Sequence, residues 1–230
     1  MGGLLATMRR AVIDPEGFER LFRETIDPWN YEASDFEAFK RGILLRACGT
    51  RLYGRGLELA CAIGETTRVL APRCLRLVAL DASPTALDEA VRRLGGRPNV
   101  TFRLARLPSG MPGGSYDLIV ASEILYYLSP NDLRRLTASM IRALAPGGRI
   151  VIVHHLCDFD DAAIRPRAAQ SYAFHRLSAR MRCVYSYQTR WFQAAAFVKG
   201  DGKVSVRAIS GAAPRKRIST TSCRPKPAGR

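Results

Sequence analysis

The segment Leu57-Glu-Leu-Ala-Cys-Ala-Ile-Gly-Glu-Thr-Thr67 decides the fold. Its apolar start closes a short strand, Gly56-Leu-Glu-Leu-Ala60, and a helix follows Gly64. In open parallel sheets ligands bind beyond the carboxyl ends of the strands, so this strand-to-helix loop faces a pocket. Small residues at 60, 62 and 64 let a ligand approach the main chain closely. Asp81 ends the next strand, 17 residues after Gly64. A carboxylate there accepts both hydroxyls of a ribose. These features together predict an adenosine-type cofactor. A dinucleotide wants glycine at the first two loop positions, so that main-chain N–H groups reach the pyrophosphate; Ala60 and Ala62 obstruct that approach. Glu58 suits a cationic ligand and repels pyrophosphate. Its alternative role is a strand-end carboxylate bonded to nearby N–H groups.

Outward from this loop the chain alternates strand and helix. Leu75–Leu80, Val100–Leu104, Tyr116–Ala121 and Arg149–Val153 read as further strands. Ser83-Pro84 opens a helix, with serine as N-cap and proline at the first helical position, burying Leu87, Ala90, Val91 and Leu94. Ser129-Pro130 opens another, presenting Leu133, Leu136, Met140 and Leu144 and ended by Pro146-Gly147-Gly148. Valine, isoleucine and leucine runs separated by helices predict a parallel sheet covered on both faces. Upstream, Asp14-Pro15 with Phe18, Leu21 and Phe22 predicts a short amphipathic helix, and Asp27-Pro-Trp-Asn30 a turn. Ser34 and Glu37 form a capping box for a helix whose face carries Phe36, Phe39, Ile43 and Ala47. Downstream, a helix around Tyr172–Met181 precedes two adjoining strands, Cys183–Arg190 and Trp191–Lys199, an antiparallel hairpin at the sheet edge. The domain reading is 1–50 as an N-terminal helical segment that lids the cofactor, 51–200 as a Rossmann-like domain, and 201–230 as a basic disordered tail.

Composition sets the outer bounds. The chain of 230 residues is 47% hydrophobic, enough for a real core. No stretch approaches the roughly 18 apolar residues of a membrane helix. The start is too short for a secretory signal and has Ala6 where a myristoylation signal wants serine or threonine. A soluble cytoplasmic protein is expected, with no membrane partner. Six cysteines, at 48, 61, 74, 157, 183 and 223, form no C-x-x-C pair, so neither a zinc site nor a disulfide framework is indicated. The net charge of +16 is uneven: residues 165–230 hold 15 lysines and arginines against Asp201 alone. That excess is either a solvated surface or a site for nucleic acid or another acidic partner.

At this point the motifs resemble those of class I S-adenosylmethionine-dependent methyltransferases, and within them the rhizobial nodulation protein S branch. The matching pieces are Asp27-Pro-Trp29, Leu57–Gly64, Leu80-Asp81, Tyr116-Asp-Leu-Ile-Val-Ala-Ser-Glu-Ile-Leu-Tyr-Tyr-Leu128 and Leu144-Ala-Pro-Gly-Gly148. They cover residues 20–155 well and 156–199 loosely. The resemblance implies a Rossmann-like, mostly parallel seven-stranded sheet with helices on both faces and an antiparallel edge strand. It also implies S-adenosylmethionine as cofactor and methyl transfer to nitrogen or oxygen of a small or medium metabolite, an amino-sugar oligosaccharide being the acceptor this branch suggests. In it the first motif cradles the methionine part, Asp81 holds the ribose, the residues after the third strand flank the adenine, and those after the fourth close over the methyl group. The cofactor candidates are therefore Trp29, Glu58, Ala60, Cys61, Gly64, Asp81, Ala82, Arg106, Leu107 and Ser122. Ala60 and Ala62 stand where relatives carry glycine, and Arg106 where many carry an acid beside the adenine amine, so adenine recognition falls to main-chain groups of Arg106 or Leu107.

The sulfonium donor is already activated, so the enzyme mainly aligns nucleophile and methyl, and a nitrogen or oxygen acceptor also loses a proton. Glu123, Tyr126 and His154 are the catalytic candidates, lying at or just past strand ends; His155 is beside them. Each has a structural alternative: helix capping for Glu123, core packing for Tyr126 and Tyr127, a satisfied buried imidazole for His154. Trp29 offers an aromatic face to a sulfonium, or is a core residue. No metal is implied. Two other functions stay open: a nucleic-acid methyltransferase using the basic C-terminal third, although Ser122-Glu-Ile-Leu125 replaces the Asn/Asp-Pro-Pro-Tyr/Phe segment, and a degenerate binding module of the same fold. Oligomeric state is not legible.

Overall fold

The computed structural model describes residues 12–200; the tail reading for 201–230 and the reading of the first residues lie outside them. Helices α1 (Pro15–Glu24) and α2 (Asp35–Cys48) precede strand β1 (Tyr53–Leu59) and helix α3 (Glu65–Leu70). Then come β2 (Cys74–Asp81), α4 (Pro84–Leu94), β3 (Val100–Leu104), β4 (Tyr116–Ser122), α5 (Pro130–Ala143), β5 (Leu144–His155), α6 (Pro166–Ser178), β6 (Arg182–Gln188) and β7 (Phe192–Val198). The seven strands form one sheet in the order β3-β2-β1-β4-β5-β7-β6. β1 to β5 are mutually parallel, whereas β7 runs antiparallel to both β5 and β6. The expected hairpin thus forms the sheet edge, with β7 inside it and β6 outermost. No helix of the described residues is long and apolar enough to cross a membrane.

Two apolar layers sandwich the sheet. One face carries Leu57, Leu59, Leu80, Ile119 and Ile152 against α5 and α6. The other carries Leu77, Leu118, Val120, Val151 and Phe192 against Ile43, Leu44 and Ala47 of α2 and Leu70 of α3. Three helix starts follow the residue chemistry closely: Asp14, Ser83 and Ser129 accept N–H bonds from Gly17, Ala86 and Asp132. Such caps contribute about 1 kcal/mol each.

Four local expectations are corrected. The capping box at α2 is half made: Ser34 accepts from Glu37 N–H at 3.3 Å, but the Glu37 carboxylate binds Lys40 instead. In α4, Val91 is 49% exposed and Ala86 takes its place in the core. Pro146-Gly147-Gly148 does not end α5, which stops at Ala143. The triplet belongs instead to a bulge, because Tyr116 pairs with Leu144 and Leu118 with Arg149. The last helix begins at Pro166, six residues before the expected Tyr172, since proline suits a first helical turn.

Candidate active site

The loop after β1 keeps a glycine-type conformation without the glycines. Ala60 and Ala62 sit at φ 58° and 48°, in the left-handed region that L side chains avoid. Two fixed contacts hold it there. Cys61 N–H donates to the Leu80 carbonyl at 2.8 Å, and Ala62 N–H to the Asp81 carboxylate at 2.8 Å. Gly64 could be nothing else: its φ is 85°, and a Cβ would lie 2.9 Å from Leu94 Cδ1 and 3.0 Å from Ala90 Cβ. The second carboxylate oxygen of Asp81 accepts from Ser83 N–H at 3.0 Å. Burial raises the Asp81 pKa although these N–H groups work the other way. Ala82 lies between the two anchors, half-buried.

Above this loop, a cavity of about 40 Å³ is lined by Tyr31, Lys40, Arg41, Glu58, Ala60 and Ser122, with Cys61 and Glu123 also at its wall. Glu58 is 2% exposed. Its carboxylate accepts from the Thr67 hydroxyl at 2.6 Å, and burial pushes its pKa up to about 8. Glu58 is therefore a buried acid that keeps its proton at neutral pH unless a cation joins it. Arg41, also buried, donates to the Tyr31 carbonyl at 2.7 Å and pairs with no carboxylate among the described residues. Cys61 packs its side chain with Ala79 and Leu87, which leaves its main chain to the cavity.

Glu123 begins the turn after β4 at φ 57°, after Ala60 and Ala62 a third non-glycine residue held in an unfavourable conformation beside the site. Lys40 Nζ lies 2.8 Å from its Oε1 and equally close to Glu37. Tyr126 OH and His155 N–H donate to its Oε2. Burial works against the charge, but Lys40 and His155 hold the Glu123 carboxyl well below the usual range. Its basicity is thus low, which argues against the proton-acceptor role expected for it. With Lys40 on Oε1 and two donors on Oε2, both oxygens of the carboxylate are engaged. Tyr126 is a buried donor to this carboxylate, and burial first, then Glu123, pushes its pKa well up.

His154 does not reach the site. It is fully buried; its Nε2 accepts Leu125 N–H at 3.2 Å and its Nδ1 lies 2.8 Å from Gln170 Oε1. Burial pushes its pKa down to about 4. The imidazole is a neutral core group that ties β5 to the turn after β4 and to α6. His155, its neighbour, instead places Nδ1 3.6 Å from Glu123 with 20% of its side chain exposed.

The remaining candidates lie under α1. Trp29 and Tyr31 pack with Phe22, Ile63 and Ala62, directly on the loop after β1. Arg106 turns its guanidinium to Glu16 of α1 at 2.5 Å, and its carbonyl accepts Gly110 N–H at 2.6 Å. The Arg106 carbonyl is thus already engaged. Leu107 is half-buried and packs against the core layer under α5. Lys40 and Arg41 were missed by sequence reading. Their signal was two cations side by side in a helix whose neighbours Ile43, Leu44 and Ala47 are core residues, a position where only a paired or ligand-binding charge is tolerated.

A family model described as a methyltransferase domain matches residues 57–148. Nodulation protein S of Rhizobium tropici is 32% identical over 59% of this chain and 59% of that protein, so the chain spans about three fifths of the curated relatives it matches. A solved structure of a candidate methyltransferase from Pseudomonas syringae is 34% identical, covers 71% of this chain and 99% of its own, and superposes with a TM-score of 0.62. The N-methyltransferase NodS of Bradyrhizobium japonicum WM9, solved with S-adenosyl-L-homocysteine, shares the fold at a TM-score of 0.67 and 24% identity, over 79% of this chain and 97% of that one.

Proposed function

The chain belongs to the class I methyltransferases that depend on S-adenosylmethionine, and from that membership we infer that it transfers the donor's methyl group to a nitrogen or oxygen of a small or medium acceptor. One observation carries the reading. Across a single small cavity stand a buried acid that holds its own proton, Glu58, and a buried guanidinium without a carboxylate partner among the described residues, Arg41. This pair complements the ammonium and carboxylate of an amino-acid end, whereas a pyrophosphate would leave Glu58 with no cation to meet. Asp81 keeps one lone-pair direction on each oxygen for a ribose hydroxyl beside its N–H bonds. When bound, S-adenosylmethionine supplies a methyl group already activated on sulfur, so the protein's share is alignment and removal of the acceptor's proton.

Glu123, at the cavity wall and held ionised by Lys40, fits the role of an anionic anchor, and His155, partly exposed beside it, is the group placed to pass a proton to water. The likeness to nodulation protein S favours an amine acceptor of the amino-sugar oligosaccharide class. The cavity holds no more than a few water molecules, so the donor enters only when the Trp29–Tyr31 turn swings aside; this turn, which borders the cavity through Tyr31, forms the lid, since α2 is built into the core. With Cys48, Cys61, Cys74 and Cys183 as free thiols, the inferred compartment is the reducing cytoplasm.

Calorimetric titration with S-adenosylmethionine and, separately, NAD tests the reading. Saturable binding of the methyl donor alone, weakened at least tenfold in Asp81→Ala and in Arg41→Ala, is expected. Binding of neither ligand sinks it and leaves the degenerate binding module. A second arm compares methyl transfer to a free amino-sugar oligosaccharide and to its N-acetylated form, with turnover expected on the free amine.

A further inference from the structure

A parallel sheet is normally covered on both faces, yet part of this one is bare among the described residues. Between β3 and β4 the chain has no helix, and its residues 105–111 cover only the carboxyl-terminal half of the β2–β3 face through Ala105, Leu107 and Met111. The amino-terminal half stays open as a shallow groove lined by Arg55, Leu75, Arg76, Val78, Pro98 and Thr101. Strand register makes it a basic strip. Arg55 of β1 stands beside Arg76 of β2, Val78 beside Thr101 of β3, and Leu80 beside Arg103. Residues two apart share a sheet face, so Arg55, Arg76, Thr101 and Arg103 project from one surface, and all four are exposed.

These guanidiniums are unspent. Arg55 lies over the Tyr116 ring at 5.0 Å, and none of Arg55, Arg76 or Arg103 has an ion-pair partner among the described residues. Asp117, a neighbouring carboxylate, accepts the main-chain N–H of Arg55 at 2.8 Å. The chain as a whole carries +16, with eight basic side chains against Asp201 in residues 201–230, a charge balance that favours a polyanionic partner. Guanidinium forks pair best with phosphate or carboxylate. An acidic protein also wants a large apolar anchor, and the groove offers only Leu75, Val78 and Pro98. A polyanion held through its backbone needs no such anchor.

We propose that the open β1–β3 face binds the phosphodiester backbone of a single-stranded nucleic acid, without sequence preference, at a site separate from the methyl-transfer cavity. The test is fluorescence anisotropy of the full chain with a labelled 20-nucleotide oligo(dT), between 50 and 300 mM salt. The parent is expected to bind with strong salt dependence. Arg55→Ala/Arg76→Ala/Arg103→Ala is expected to bind about tenfold more weakly, with a salt slope shallower by about 2. The pair Arg76→Glu/Arg103→Glu, which leaves Arg55 on Tyr116, is expected to lose binding more completely. Unchanged calorimetric binding of S-adenosylmethionine in each variant shows that the fold is intact and separates this proposal from the methyl-transfer reading. Absence of binding by the parent overturns the proposal, as does equal binding by parent and variants. Displacement of the oligonucleotide by poly-glutamate at equal charge concentration overturns it in favour of an acidic protein.

Discussion

Ala60 and Ala62 occupy the left-handed region at φ 58° and 48°. Each costs about 1–2 kcal/mol there, while glycine would lose about 0.5–1 kcal/mol through its freer unfolded chain. The strain outweighs the lost chain freedom. Ala60→Gly and Ala62→Gly are therefore each expected to stabilise the protein by about 0.5–1 kcal/mol, read as a raised thermal midpoint, and to remove a methyl group from the donor's approach. A fall in midpoint would mean that the alanine methyl groups pack better than their backbone suggests. Glu58 provides a second prediction at this scale. Its pKa stands at about 8 in the free protein, and a ligand ammonium beside it lowers that value. Binding of S-adenosylmethionine at pH 7 should thus release a proton, and the release should vanish above pH 9. Calorimetry in buffers of different ionisation enthalpy reads it directly, and Glu58→Gln should abolish it. In the free protein the same group lowers stability as pH rises from about 4.5 toward 8, because the native state holds the proton that the unfolded chain has given up. Glu58→Gln should flatten that dependence.

Among the elements, α1 has the clearest individual energetics. It crosses the carboxyl edge of the sheet from β2 to β5: Glu16 meets Arg106, Phe18 meets Tyr127 edge-on at 4.8 Å, and Ile13 N–H donates to the Asp161 carbonyl. Its latch is Glu19, which accepts from the Ser83 hydroxyl, the Thr85 hydroxyl and Thr85 N–H. Burial opposes its charge, but these bonds and Arg23 hold its pKa at about 2. A carboxylate with a depressed pKa stabilises above its unfolded value and loses that contribution as pH falls through the folded one. The docking of α1 should thus weaken between about pH 4.5 and pH 2. Glu19→Ala should release α1 at neutral pH. Faster hydrogen exchange over residues 15–24, with the sheet strands unchanged, is the expected signature. The α1 helix, its cap and its apolar face are legible in Asp14-Pro15 and Phe22. Glu19 was not, because its partners lie more than 60 positions away.

For the whole molecule, the two layers on the sheet bury Cys48, Cys61 and Cys74, whereas Cys183 on the outermost strand is exposed. Burial pushes the Cys48 thiol up to about 12 and Cys74 to about 12 as well. Cys183 is expected to react with a thiol reagent in the native protein, and the three core thiols only at the rate of global unfolding. Faster labelling of Cys48 would show that α2 opens on its own. The amino-acid sequence by itself determined the strand–helix alternation, the loop after β1, the Asp81 terminus and the edge hairpin, because periodicity, caps and turn residues act over a few neighbouring positions. It also pointed to an adenosine cofactor through residue types at fixed spacing. Tertiary structure alone decided which charged groups share a cavity. Arg41 and Lys40 arrive at Glu58 and Glu123 from another helix. His154 is drawn into the core by Leu125 and Gln170, while His155, one residue on, points to the site. The reason is physical: alternation along a strand sends adjacent side chains to opposite faces, but which face holds the chemistry depends on what packs against it, and no local pattern records that.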